Sequence, residues 1–241
     1  MTQLEEQSRR CQGIQELSRE LRRRDAESTP RRESKRWRVR TRLYHVAKRA
    51  LDLLVSLVAL IVLMPLLLLI AVIIKLESPG PIIYRSIRVG RYGRHFCFFK
   101  FRSMVEGADQ RKDELAVQNE SPDGVLFKME NDARRTRFGI FLRKLSLDEL
   151  PQLANVLLGD MSLVGPRPHL PSEVVKYSLE QRKSLDVLPG ITGLAQITCR
   201  KGSLAEQSAM DQKYIATQSF WGDIVILLKT IPAVLSCRGA C

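Results

Sequence analysis

Residues 51–74, "LDLLVSLVALIVLMPLLLLIAVII", form an apolar run in which Asp52 is the only charge. A run of 24 such residues restricts the fold more than any other feature of the chain. It must be covered on all sides by protein or sit in lipid. As a straight helix it would extend about 36 Å at roughly 1.5 Å per residue, enough to cross the hydrocarbon of a bilayer. Two features oppose a crossing. Basic residues are dense before it (Arg36, Arg38, Arg40, Arg42, Lys48, Arg49) and after it (Lys75, Arg85, Arg88, Arg91, Arg94), whereas a crossing normally leaves one flank poor. Pro65 also lies near the middle, where it removes an intrahelical hydrogen bond and bends or breaks the helix. A helix broken at Pro65 would enter one leaflet and return, keeping both flanks in the cytoplasm. A Pro-kinked crossing helix is the alternative.

The net charge of +13 is concentrated ahead of this run: residues 1–49 hold 15 Lys and Arg against 7 Asp and Glu. Such an arm faces anionic head groups well, and it would also suit nucleic-acid phosphates. No DNA- or RNA-binding motif accompanies it, so a nucleic-acid partner is not expected. Within the arm, Cys11, Ile14, Leu17 and Leu21 are spaced for a short amphipathic helix, which "ESTPRRES" ends. The five cysteines form no C-x-x-C pair and no metal-ligand spacing, which favours a reducing compartment. No spacing links His45, His95 and His169 to a metal role.

After the apolar run, residues 78–104 carry turn residues and then alternating, aromatic-rich stretches, the pattern of a β-hairpin. Arg85, Arg88, Arg91 and Arg94 recur every third residue, as a solvated basic face or as contacts to head groups or phosphates. Residues 105–185 read as mostly helical. In "SLDELPQLANVLLGD", Leu150, Leu153, Ala154, Leu157 and Leu158 follow helical spacing and Gly159 is a natural stop. "MSLVGPRPHLP" reads as extended, and "LPGITGLAQI" as a turn and a short strand. The C-terminal "FWGDIVILLKTIPAVL" reads as an interfacial helix anchored by Phe220 and Trp221.

Asp148 and Glu149 open the clearest of these helices. One reading is local: Ser146 and Glu149 match a capping box, or Asp148 caps with Pro151 in the first turn, and acids there complement the helix dipole. The other is chemical, because Arg134, Arg135, Arg137, Arg143, Lys144 and Arg167 surround the pair in sequence. A carboxylate can attack phosphorus to form an acyl-phosphate, a neighbouring carboxylate can hold Mg²⁺, and Arg binds the remaining oxygens bidentately. Beside a membrane segment, such a cluster points to a lipid-linked phosphate.

"KFRSM" (100–104), "LRKLSLDELPQLANVLLGDMSLVGPRPHLP" (142–171) and "PGITGLAQI" (189–197) resemble the bacterial sugar transferase family, over about residues 48–235. The resemblance implies a monotopic enzyme on the cytoplasmic face of the inner membrane. It would transfer a sugar-1-phosphate from a UDP-sugar to undecaprenyl phosphate with Mg²⁺, release UMP, and start exopolysaccharide, capsule or O-antigen chains. It implies Asp148 as a nucleophile forming a phosphosugar-aspartyl intermediate and Glu149 as the Mg²⁺ carboxylate. Arg143 and Arg167, the latter beside Pro166, would bind phosphate, with Lys100 and Arg102 near the active site. It also implies a re-entrant helix bent at Pro65. The chain departs from the family pattern at Ala133, where Pro is frequent, and at Cys199, where Gly is usual.

The fold class expected is α+β and mostly helical, with a small β-hairpin and amphipathic interfacial helices. Its organisation is a basic arm (1–40), a re-entrant membrane helix (41–77) and a cytoplasmic catalytic domain (78–241). Expected partners are a UDP-sugar, undecaprenyl phosphate and membrane lipids, with a homodimer plausible. A non-catalytic membrane scaffold of polysaccharide assembly is the alternative from another functional class.

Overall fold

The computed structural model describes residues 35–108, 129, 132–199 and 202–236. The amphipathic segment expected around Cys11 to Leu21, and most of the basic arm, lie outside them. The apolar run belongs to one helix, α1 (Lys35–Glu77), which continues through Pro65 without interruption. The expected break is therefore not a gap in the helix. One stripe of α1 is buried: Asp52, Ser56, Ile70 and Ile74, with Ala59, Leu60, Leu66 and Leu67 partly covered between them. These positions fall at three-, four- and seven-residue steps, so a single helix face lies along the rest of the protein. The other faces carry exposed Leu54, Val58, Ile61, Val62, Leu68, Leu69 and Val72, a surface suited to lipid.

Polar groups fix both ends of α1. Near its start, Lys48 Nζ sits 2.7 Å from Asp223 Oδ2 and Asp52 Oδ1 accepts the Leu163 N–H at 2.9 Å. Arg49 donates to the Val156 and Leu157 carbonyls at a later helix's carboxyl end. At the far end, Glu77 Oε1 accepts the Phe138 N–H at 2.8 Å.

The expected hairpin is present. Strands β1 (Ile83–Val89) and β2 (His95–Phe101) pair antiparallel, with Ile83 opposite Phe101 and Val89 opposite His95. Alternation places Tyr84, Ser86 and Arg88 on the same face as their partners Lys100, Phe98 and Phe96. Phe96 and Phe98 pack edge to face in a core with Leu153, Val156, Met161, Leu163, Val164, Tyr214 and Ile226.

Next come α2 (Arg137–Lys144), a 3₁₀ turn (Leu147–Glu149) and α3 (Gln152–Leu158). Thr136 caps α2 by accepting the Gly139 N–H. The capping box expected at Ser146 is not formed: Ser146 has φ 54° and caps nothing with its side chain. Pro151 is the N-cap of α3, where its missing N–H costs nothing. Gly159 ends α3 at φ 92°, as expected.

The apolar stripe expected for α3 is shifted. Leu158 is exposed, whereas Gln152, Leu153, Asn155 and Val156 are buried. The physical reason is Asn155. Its Oδ1 accepts the Phe99 N–H at 3.1 Å and its Nδ2 donates to the Cys97 carbonyl at 2.7 Å. The amide thus takes the place of a third strand along the free edge of β2.

The segments read as extended and as a short strand form β3 (Ser162–Val164) and β4 (Gly190–Thr192), whose parallel pairing was not expected from the sequence. A Cβ on Gly190 would lie 2.1 Å from the Gly165 nitrogen, so this approach requires glycine. Short α4 (Pro171–Val174) and α5 (Leu194–Thr198), then α6 (Leu204–Ala216) and α7 (Phe220–Leu235), complete the fold. On α7 the buried Asp223 faces Lys48, while Trp221, Val225, Leu228 and Ile231 form an exposed apolar stripe.

Replacing Asn155 by Leu would strand the Phe99 N–H and the Cys97 carbonyl in the core. It should cost about 2–4 kcal/mol. Thermal or denaturant unfolding in detergent measures this, and parental stability in the Leu variant would mean that the edge of β2 is satisfied in another way.

Candidate active site

Lys100 lies near the end of β2, on its inward face, and Asp148 and Glu149 lie in the 3₁₀ turn opposite. The Lys100 ammonium bridges both acids, 3.3 Å from Asp148 Oδ2 and 2.8 Å from Glu149 Oε1. Asp148 is almost fully buried, at 4% exposure. Among the described residues its Oδ1 has no hydrogen-bond partner. Arg167 approaches Glu149 Oε1 at 3.5 Å from a more open position. Two adjacent carboxylates therefore share one ammonium, with a guanidinium at the rim.

Arg143 completes the ring from the last turn of α2. Burial pushes its pKa below the usual guanidinium value, while Asp148 and then Asp132 oppose that shift. Its guanidinium makes no hydrogen bond among the described residues. A half-buried cation beside a carboxylate, with no hydrogen bond of its own among the described residues, is suited to receive an anion.

Local backbone geometry sets these positions. Ser146 in the left-handed region turns the chain between α2 and the acid pair. Pro166 contributes its carbonyl, which accepts the Gly190 N–H at 2.8 Å and ties the Arg167 loop to β4. On the other side of that loop, the Val89 N–H donates to the His169 carbonyl at 3.0 Å, joining it to β1.

Of the residues singled out in the sequence, the structure brings Lys100, Arg143, Asp148, Glu149 and Arg167 together. Arg102 serves elsewhere. Its guanidinium donates to the carbonyls of Ser78 at 2.7 Å and Pro79 at 2.6 Å and to Ser78 Oγ at 2.9 Å, closing the carboxyl end of α1. Pro65 is inside α1. Sequence reasoning missed the positioning role of Asn155, because an Asn on an apolar helix face carries no signature. It also kept Arg88 in one series with Arg85, Arg91 and Arg94, as a solvated face or as contacts to head groups or phosphates, whereas Arg88 is largely buried against Phe98 and the other three are exposed.

The acid pair fits a Mg²⁺ ion. The ion commonly takes one or two protein carboxylates and completes its shell with water and phosphate oxygens. Asp148 and Glu149 already share a cation, the Lys100 ammonium. Among the described residues no group of three or more His, Cys, Asp or Glu could hold a metal. An ion here would therefore depend on substrate oxygens.

Comparison with known proteins gives a consistent result. The profile of the family described as "Bacterial sugar transferase" matches residues 43–237. The chain is 44% identical over 197 residues to the "Galactosyl transferase CpsE" of Streptococcus agalactiae, covering 81% of this chain and 43% of that protein. It is 42% identical over 201 residues to the "Exopolysaccharide production protein ExoY" of Rhizobium meliloti, covering 81% and 88%. With the "UDP-glucose:undecaprenyl-phosphate glucose-1-phosphate transferase" of Xanthomonas campestris it shares 40% identity over 210 residues, covering 83% and 41%. The chain thus spans less than half of two of these relatives and most of the third.

Arg143→Met should leave the thermal midpoint in detergent within about 3 °C of the parent, because a half-buried cation without a hydrogen bond is replaced by an apolar chain. The stabilisation that inorganic pyrophosphate gives the parent should disappear. A large fall in the midpoint would make Arg143 a packing residue instead.

Proposed function

The chain belongs to the bacterial sugar transferase family, and on that premise we propose that it transfers a sugar-1-phosphate from a UDP-sugar to undecaprenyl phosphate. The observation that carries this reading is the buried Asp148–Glu149 pair shared by Lys100 and flanked by Arg143 and Arg167. It matches the need of phosphoryl transfer for one nucleophile and several cations on non-bridging oxygens. The relatives' printed names, in exopolysaccharide production and undecaprenyl-phosphate transfer, support the substrates.

In the proposed reaction Asp148 Oδ1 attacks the phosphorus that bears the sugar. The bond from that phosphorus to the oxygen bridging the two phosphates breaks, and UMP leaves with the electron pair. The product on the enzyme is a sugar-phosphoryl ester of Asp148. An oxygen of undecaprenyl phosphate then attacks the same phosphorus, a diphosphate forms, and the Asp148 carboxylate is released. No proton is gained or lost overall. Arg143 and Arg167 hold phosphate oxygens in both steps, and Lys100 keeps the two acids at fixed separation. Glu149 would hold Mg²⁺, which supplies charge neutralisation on phosphate oxygens when bound.

The proposed topology is a helix with both ends on the cytoplasmic face of the inner membrane. Its support is the docking of both ends of α1 on one body: Lys48 and Asp52 on α7 and β3, Glu77 on α2. A perpendicular crossing would separate those contacts by the thickness of a bilayer. The exposed apolar stripe of α7 would lie in the same interface.

The test is UMP release by purified protein in nanodiscs with undecaprenyl phosphate, Mg²⁺ and a panel of UDP-sugars. Asp148→Asn should lower release by about a thousandfold or more while the protein stays folded and membrane-bound. Silence of the parent across the panel would favour the scaffold reading. For topology, single cysteines placed at positions 43 and 79 should both react with an impermeant maleimide from the cytoplasmic side only. Labelling from opposite sides would establish a crossing.

A further inference from the structure

One face of the hairpin carries more polar chemistry than the reaction above uses. Arg88 leans along β1 so that its guanidinium carbon lies 5.3 Å from the Phe98 ring centroid. Lys100 reaches the same ring from the other direction, 5.8 Å from the centroid. Phe98 sits directly across from Ser86 in the register, so Ser86 lies between the two cations. The ring attracts both cations through its quadrupole, yet two positive charges converging on it repel each other.

The hydrogen bonding of this face is incomplete. Arg88 Nη1 donates to the Pro168 carbonyl at 3.3 Å and lies 3.9 Å from Glu173 Oε2. Glu173 is already engaged, since the same oxygen accepts the Leu170 N–H at 2.9 Å. Arg88 Nε is buried and has no partner, and Nη2 donates to no described residue. Those two nitrogens form the edge of a guanidinium that takes two phosphate oxygens side-on. Ser86 Oγ, two residues away on the same face, is likewise buried without a partner. Two orphaned donors side by side are uncommon and expensive in a folded protein. Arg167 and Glu149 lie within Coulombic reach of Arg88, which places this face beside the acid pair.

We propose that Arg88 and Ser86 form a second phosphate-binding point of the donor site, holding the phosphate that leaves with the nucleoside monophosphate. This rests on the reading of the site as a UDP-sugar phosphotransferase. A nucleoside diphosphate brings two phosphates to one acid pair, and Arg143, Arg167 and Lys100 all converge on the acids that receive the first. The Nε–Nη2 edge of Arg88 supplies the fork for the second, and the Ser86 hydroxyl supplies a further donor. Held there, the leaving phosphate departs as a bound dianion and needs no proton from the enzyme. A sugar hydroxyl is a poorer occupant, because it adds no charge to the long 3.9 Å ion pair with Glu173, whose near oxygen is already engaged by the Leu170 N–H.

UDP is the probe, with binding measured calorimetrically on the full chain in nanodiscs. Arg88→Lys keeps the charge and loses the fork, so UDP affinity should fall about tenfold or more. Ser86→Ala should lower it about threefold. The KM for undecaprenyl phosphate and the thermal midpoint should hold in both variants. UDP affinity equal to the parent's in a folded Arg88→Lys protein overturns the proposal. So does a parallel loss of UDP affinity, lipid KM and thermal midpoint, the signature of a strut bracing residues 168–173. If Arg88→Lys fails to fold, Ser86→Ala decides, and unchanged UDP affinity there overturns it. A parent that neither binds UDP nor releases UMP overturns the reading of the site together with this inference.

Discussion

The side-chain amide of Asn155 is the interaction on which the arrangement of this protein turns. A two-stranded hairpin is marginal alone, and β2 presents an open edge. Asn155 closes it with one donor and one acceptor, at the Cys97 carbonyl and the Phe99 N–H. These two bonds lie one and three residues before Lys100. They therefore fix how far β2 stands from α3, and with it how Lys100 meets the turn that carries Asp148 and Glu149. Phe96 and Phe98 then fill the space between with apolar area, which strengthens the contact without setting its register.

The membrane helix follows a related logic. Its apolar faces would be satisfied by lipid in many orientations, so hydrophobicity alone cannot orient it. Orientation comes from the few polar groups on its buried stripe. Asp52 reaches the Leu163 N–H, and Lys48 reaches a carboxylate on α7 that also accepts the hydroxyls of Tyr44 at 3.0 Å and Tyr214 at 2.9 Å. A buried charge cluster of this kind contributes little net stability over an apolar one, but it permits one rotation of the helix and disfavours the rest.

Much of this was legible in the sequence, and the exceptions share a cause. The apolar run, the hairpin, the Gly159 stop and the helical C-terminus have strong local patterns, and each forms where its pattern lies. Asp148, Glu149, Arg143, Lys100 and Arg167 were recognisable as motif residues, and the fold gathers them. What the pattern concealed depends on partners distant in the chain. Leu158 satisfied the helical period but is exposed, because Asn155 and Gln152 hold the inward face. Ser146 and Glu149 had the spacing of a capping box, but the chain turns at Ser146 to bring the acids to Lys100. Arg88 looked like one of four equivalent basic residues until the pleat turned it inward. Local rules fail here where long-range contacts build the site, as expected when function competes with regular structure.

That same strand connects the site to the membrane. Lys100 and Arg102 are two residues apart, which along an extended chain is about 7 Å. One of them holds the acid pair; the other closes the end of α1 through Ser78 and Pro79. The height of the acids relative to the end of the membrane helix is thus set by two residues of rigid backbone, with no flexible linker between. A water-soluble donor can approach such a site from any open direction, but a polyprenyl phosphate can present its head group only near the plane of the lipid. In the proposed reaction, holding Asp148 against the helix end would solve that second problem in advance. It also accounts for a basic residue in "KFRSM" that contacts no acid among the described residues, two places from one that contacts two.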